Sequence, residues 1–288
     1  MMIGVRPHPL KLKSDFPGLV NWLAQNGFEA VDLIGFSAEA KALCDKAGLA
    51  IGSFDCPSLG KLLDADEAKR NAVAAKVKDE LSQAAKLGLK TLFICFGPVD
   101  KTAPRAKTFE IWKSVFPGIA AHCEALGISI AMEPWPGGAP HYSNIGTTPE
   151  MWRAMFAACP SQALGLCYDP SHMARLGVDY VRALKEFGPR IHHVHAKDCA
   201  FLQEELYLQG RMTPTFGAPT FKCSEGWWRY CIPGDGVVDW RTVVVGLTAL
   251  GFKGVLSIEP EDGVYMETEE ANKAGLLAAK AHLKSVIR

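Results

Sequence analysis

Short runs of aliphatic and β-branched residues alternate along this chain with longer stretches in which apolar positions recur every three or four residues. The short runs lie near Ile3–Val5, Ala30–Leu33, Ala50–Phe54, Thr91–Cys95, Ser129–Met132, Leu164–Tyr168, Ile191–Val194 and Val255–Ile258. Their length and residue types predict buried strands. The longer stretches predict helices, most clearly over Asp64–Leu87, Lys107–Leu126, Pro149–Ala158 and Thr268–Val286. Asp64–Leu87 keeps Ala, Val and Leu on one stripe and Lys and Glu elsewhere, as expected of a helix lying on a sheet. Gly27, Gly88, Gly127 and Gly251 each precede a strand, where a helix exit in the left-handed conformation suits glycine.

About eight strand–helix units in 288 residues predict a single α/β domain over residues 1–288, a parallel (β/α)8 barrel. A doubly wound open sheet is the alternative, but it rarely needs so many units. One segment breaks the rhythm. Residues 199–233, after the seventh strand, form a long aromatic-rich insertion, expected to fold over the barrel mouth.

Composition narrows the picture. The chain is 48% hydrophobic and 22% charged, with 31 basic and 31 acidic residues, so its formal net charge is zero. That balance gives no support to a strongly basic nucleic-acid surface, although it leaves room for a local patch. No apolar run is long enough for a membrane span, and the start lacks a secretory pattern. The nine cysteines are scattered, with no Cys-x-x-Cys pair, and Cys95 and Cys167 fall inside predicted strands. A cytoplasmic protein with reduced thiols is expected.

Four of the later apolar runs end in a group that is costly to bury alone. ISIAMEP carries Glu133, ALGLCYDPSH carries Asp169 with His172 beyond it, RIHHVHAKD carries His195, and GVLSIEPED carries Glu259. Desolvating a lone charge is expensive, so four such groups at equivalent strand ends predict that they meet around a cation. Three carboxylates and an imidazole form a hard donor set suited to Mn²⁺, Mg²⁺ or Co²⁺, with Zn²⁺ also compatible.

Glu-Pro, Asp-Pro-Ser-His, His-Val-His-Ala-Lys-Asp, Pro-Gly-Asp-Gly-x-x-Asp-Trp and Ser-Ile-Glu-Pro-Glu-Asp follow one another in this order. With them the sequence resembles, over nearly its whole length, the xylose-isomerase-like barrel superfamily. Within it the chain is most similar to the sugar phosphate isomerase/epimerase group. The resemblance implies that Glu133, Asp169, His195 and Glu259 bind one divalent ion, Mn²⁺ foremost. It implies that Glu133 and Glu259 also move protons, and that His172 touches a substrate hydroxyl or stands beside the metal. It further implies a homo-oligomer. Lys197 and Asp198 depart from the pattern, since epimerases of this kind often carry an arginine there. The GWWRYCIPGDG stretch resembles a subgroup acting on oxidised sugars and glycosides, keto-glycosides included.

The expected activity is isomerisation or epimerisation of a sugar or keto-sugar, by proton transfer through a metal-stabilised enediolate. The alternative is a lyase, a dehydratase or deglycosylating enzyme, because the same enediolate can expel a group at the next carbon. No glycine-rich loop follows the last strands to grip a phosphate, which favours an unphosphorylated substrate. An abasic-site endonuclease shares this barrel, but it wants further histidines and a basic groove. An inactive sugar-binding partner would not need the full ligand set.

Each residue also has a plainer reading. Glu133 can pair with a lysine, and Asp169 can cap the following helix. Alternation puts His193 and His195 on one strand face and His192 on the other; His195 is nearer the strand end. Glu261 shares a face with Glu259, so either can be the ligand, and Glu261 can instead orient Lys197 or His195. Lys197 neutralises surplus carboxylates or binds a substrate oxygen. His8 and Trp135 line the pocket, or are an exposed loop residue and a core residue. Trp227, Trp228 and Arg229 contact substrate or a second subunit.

Overall fold

The computed structural model describes residues 1–8, 10 and 14–287. Its strands are β1 (Met2–Val5), β2 (Ala30–Leu33), β3 (Ala50–Asp55), β4 (Thr91–Ile94), β5 (Ser129–Met132), β6 (Leu164–Tyr168), β7 (Ile191–Ala196), β8 (Asp198–Phe201), β9 (Trp228–Cys231) and β10 (Val255–Ile258). All but β8 and β9 close into a parallel eight-stranded barrel, with β10 returning to β1. The helices are α1 (Phe16–Gln25), α2 (Ala38–Ala47), α3 (Glu67–Lys86), α4 (Arg105–Leu126), α5 (Pro149–Ala158), α6 (Pro170–Leu176), α7 (Tyr180–Phe187), α8 (Gln203–Gln209), α9 (Trp240–Ala249) and α10 (Glu269–Val286). This is the (β/α)8 barrel the hydrophobic pattern predicts, with strand boundaries within two residues of expectation.

Local chemistry explains why the elements begin and end where they do. Ser37, Asp66, Thr148, Asp179, Asp239 and Thr268 each accept a backbone N–H at the start of a helix. Such a cap is worth about 1 kcal/mol. The expected exit glycines Gly27, Gly88, Gly127 and Gly251 all take φ between 65° and 78°. The main core lies between strands and helices, where Trp112 and Phe116 of α4 pack on Phe96. A smaller cluster of Phe93, Ala131 and Cys167 fills the barrel interior, and the Phe93 ring stacks on His195.

The insertion after β7 is more ordered than a loop. β8 and β9 form an antiparallel hairpin, pairing Asp198 with Cys231 and Phe201 with Trp228. It has its own small core of Cys199, Trp227, Trp228 and Tyr230. Trp227 and Trp228 are 7% and 3% exposed, so both are spent on that core rather than offered to a second subunit. Asp198 locks the hairpin base to the start of α9, accepting from the backbone N–H groups of Cys199, Gly234 and Val238 and from Trp240 Nε1.

Candidate active site

The C-terminal ends of the barrel strands converge on a cavity of about 430 Å³. Its lining includes His8, Glu133, Trp135, His172, Lys197, Glu259 and Glu261. Asp169 and His195 are fully buried beside it. A roomier cavity of about 560 Å³ adjoins it through Ile34, but among the described residues its wall carries no ionisable side chain. The titratable groups gather at the smaller one.

Glu133, Asp169, His195 and Glu259 each offer a ligand atom within 4.8 Å of the others, so the four strand ends do meet. β7 runs between β10 and β6, with β5 beyond, so the two glutamates approach His195 from opposite flanks. His195 Nδ1 donates to Glu133 Oε1 at 2.6 Å and lies 3.4 Å from Glu259 Oε2. Asp169 caps α6 as the plain reading expects, accepting from the Ser171 N–H and hydroxyl with Oδ1. Its Oδ2 is buried without a hydrogen bond, 3.3 Å from Lys197 Nζ and 3.4 Å from His172 Nε2. A free anionic oxygen aimed into a cluster of oxygen donors fits a divalent cation.

Lys197 is 1% exposed, with its ammonium 2.6 Å from Glu259 Oε2 and 2.8 Å from Glu261 Oε2. Glu261 is therefore a partner of Lys197. Burial opposes the lysine's charge, but Asp169, Glu259 and Glu261 outweigh it and hold the ammonium well above its ordinary range. Burial likewise opposes the charge of Glu133, yet His195 and His172 keep that carboxyl well below its usual value. For Glu259, Lys197 is the group that overcomes burial.

Several residues that the sequence reading passed over complete the site. Arg6, just past β1, grips Asp55 with both terminal nitrogens and sets Nε 3.2 Å from Glu259 Oε1. Its guanidinium lies 3.9 Å from the centre of the Phe93 ring. The Cys95 thiol donates to Glu133 Oε2 at 3.1 Å, so this cysteine is more than a small hydrophobe. Deeper in the barrel, Asp32 accepts from His193 Nε2 at 3.0 Å and from the Ser257 hydroxyl at 2.8 Å. Asp32 Oδ2 is also 3.7 Å from His195 Nε2, a buried nitrogen that has no hydrogen bond. Gly52 makes room for this carboxylate, since a Cβ there would lie 2.4 Å from Asp32 Oδ1. His192 points the other way, to the Ile130 carbonyl.

Tyr230 reaches the site from the inserted hairpin. Its hydroxyl meets His172 Nδ1 at 2.5 Å and accepts from Arg175 Nη1 at 2.7 Å. Burial pushes the phenol well above its ordinary value, so it keeps its hydrogen. Among the other expected residues, His8 is exposed at the rim and Trp135 is 39% exposed, its side chain open to the cavity rather than spent on the core. Arg229 is bound to Asp262 at 2.9 Å.

The fold and site define a (β/α)8 barrel with a polar, cation-ready centre at its C-terminal mouth. The family model described as xylose isomerase-like TIM barrel matches residues 20–285, and the chain belongs to that family. An inosose dehydratase from Geobacillus thermodenitrificans (strain NG80-2) is 30% identical over 119 residues, which span 41% of this chain and 37% of that enzyme. The structure of a D-psicose 3-epimerase with D-fructose superposes with a TM-score of 0.74 at 17% identity, covering 100% of this chain and 99% of the other. A 3-keto-D-glucoside 4-epimerase from E. coli superposes with a TM-score of 0.71 at 15% identity, covering 99% of both chains. Among the described residues, no helix is long and apolar enough to cross a membrane.

Proposed function

We propose that this chain is a divalent-metal-dependent enzyme that epimerises or isomerises a keto-sugar by moving the proton on the carbon beside the carbonyl. The observation that carries the proposal is the pair Glu133 and Glu259, two buried carboxylates facing one cavity from opposite flanks of His195. Glu133, Asp169, His195 and Glu259 would hold the cation, Mn²⁺ by preference, with Mg²⁺, Co²⁺ or Zn²⁺ also suited to the donor set. When bound, the ion supplies Lewis acidity toward the carbonyl oxygen.

The protein's own groups do the rest. Glu133 takes the carbon-bound proton, leaving an enediolate, and Glu259 passes a proton drawn from Lys197, 2.6 Å away, to the opposite face. A carboxylate so positioned contributes about 10²–10⁴-fold. His172 and Lys197 donate hydrogen bonds to substrate oxygens, while Trp135 and His8 line the entrance, where an aromatic face suits the C–H side of a sugar ring. Lys197 already faces three carboxylates, so an incoming oxygen must displace one of them.

Elimination is the second reading. Lys197 Nζ is 2.6 Å from Glu259 Oε2 and 3.3 Å from His172 Nε2, so proton donors stand beside the base, as a departing hydroxide or alkoxide requires. The sequence relationship to an inosose dehydratase supports the same reading. Incubation with Mn²⁺ in D₂O, using D-psicose, a 3-keto-glucoside and inosose in turn and following by NMR, separates the outcomes. Deuterium at the carbon beside the carbonyl with inverted configuration is the expected result. Loss of water or of the glycosidic partner would establish the lyase. A manganese-loaded protein that exchanges none of the three sinks both readings.

A further inference from the structure

We infer that Asp55, held by Arg6 on the far wall of the cavity, is a specificity-determining residue. It accepts hydrogen bonds from hydroxyls of the keto-sugar remote from the carbonyl, a role that rests on the function proposed above.

Asp55 closes β3, and Arg6 follows β1. In the closed order of strands β3 stands four positions from β7, and β1 four from β5, so each pair faces across the barrel. Arg6 and Asp55 therefore form the wall opposite Lys197, which follows β7, and Glu133, which follows β5. A sugar whose carbonyl end lies against Glu133, His172 and Lys197 turns its other end toward Arg6 and Asp55.

This pair is fixed in place and left open. Arg6 Nη1 and Nη2 donate to Asp55 Oδ1 and Oδ2 at 3.0 and 3.2 Å, and the guanidinium lies 3.9 Å from the centre of the Phe93 ring. Among the described residues Asp55 has no hydrogen-bond partner but Arg6, so each carboxylate oxygen keeps a lone pair. Each terminal nitrogen of Arg6 likewise keeps a second hydrogen. Asp55 lines the cavity with its side chain 27% exposed, against 7% for Arg6, so the open face is chiefly the carboxylate's. Charge balance does not call for this acid, because Arg6 already has Glu259 Oε1 3.2 Å from its Nε. Burial pushes the Asp55 carboxyl up even against Arg6, which marks a carboxylate short of donors. A hydroxyl that donates to Asp55 and accepts from Arg6 meets the spare capacity of both. A hydrogen in its place leaves the carboxylate bare, and a site built to bond a hydroxyl rejects such an analogue.

Calorimetry on manganese-loaded protein tests this with D-psicose, a 3-keto-glucoside and inosose. Analogues of the tightest binder follow, each lacking one hydroxyl away from the carbonyl. On wild type, at least one analogue is expected to bind about tenfold or more weakly than its parent. Asp55→Asn should bind the parent about tenfold more weakly, yet bind that analogue no worse than wild type does. Asp55→Ser serves if the first variant does not fold, and the comparison on wild type needs no variant. A purely structural role would weaken parent and analogue by the same factor. Such equal weakening, or analogues all within about threefold of the parent on wild type, overturns the inference. Deuterium exchange without this coupling leaves the proposed function standing and removes Asp55 from it. Coupling without exchange of any of the three sinks the function and leaves the hydroxyl contact. If none of the three binds, both fall together.

Discussion

Asp169 divides its two oxygens: Oδ1 caps α6, as the plain reading expects, and Oδ2 is left without a hydrogen bond toward the proposed cation site. The position was legible because an aspartate after a buried strand is conspicuous; the split between oxygens needed coordinates. Asp32 was passed over because one acid inside the short run AVDL offers no pattern of its own. Arg6 and Asp55 could have been found by extending the strand-end argument from the later strands to β1 and β3. Asp32 leads to a prediction. A metal on His195 Nδ1 requires the ring hydrogen on Nε2, where Asp32 stands 3.7 Å away. Asp32→Asn should therefore weaken manganese binding about 10–100-fold, measured by competition with a chelating dye. Unchanged affinity would remove Asp32 from the site. Gly52→Ala forces a Cβ against that same carboxylate and against His193 Cε1 at 3.1 Å. It should destabilise the fold by about 1–3 kcal/mol, read as a lower midpoint in denaturant.

At the scale of elements, the hydrophobic pattern predicted every barrel strand, because strands and covering helices leave different apolar spacings in the sequence. The insertion was seen as an interruption, but its hairpin was not. β8 and β9 pair across 26 intervening residues (202–227), and nothing local records such a partner. The loop after β3 shows how a side chain from a helix can fix a connection. Glu80 of α3 accepts from the Ser58 hydroxyl and backbone N–H and from the Cys56 thiol. Burial works against its charge, but these donors hold the carboxyl below its ordinary value. A depressed carboxyl stabilises the fold above its unfolded value of about 4.3, and that stabilisation is lost as pH falls through the lower folded value. Glu80→Gln should cost about 1–2 kcal/mol near pH 7, and the gap to wild type should narrow below about pH 4. Denaturant melts near pH 7 and pH 3.5 decide it; a gap of equal size at both pH values would show that charge on Glu80 is not what matters.

For the molecule as a whole, the barrel mouth and the layer beneath it concentrate Asp32, Asp55, Glu133, Asp169, Glu259 and Glu261 around Arg6 and Lys197, the only permanent cations paired with them among the described residues. Such an excess of buried negative charge is tolerable if a cation binds it, so metal and stability should be linked. Saturation at about 100 times the dissociation constant adds about 2.7 kcal/mol. For a chain of this size that raises the thermal midpoint by several degrees, and excess EDTA should reverse it. A midpoint indifferent to both Mn²⁺ and EDTA would count against the cation site. The sequence by itself determined the alternation of elements, the barrel and the four strand-end donors, because burial and periodicity act on neighbouring residues. The tertiary structure alone decided that Lys197 neutralises three carboxylates, that Asp32 stands behind His195, and that Tyr230 reaches His172 from the insertion. Those contacts join residues 58 and more positions apart, from Tyr230 and His172 upward to Asp32 and His195, apart from the nearer Lys197–Asp169 pair. Which distant side chains share a buried volume is set by barrel closure and strand register, and no local pattern encodes it.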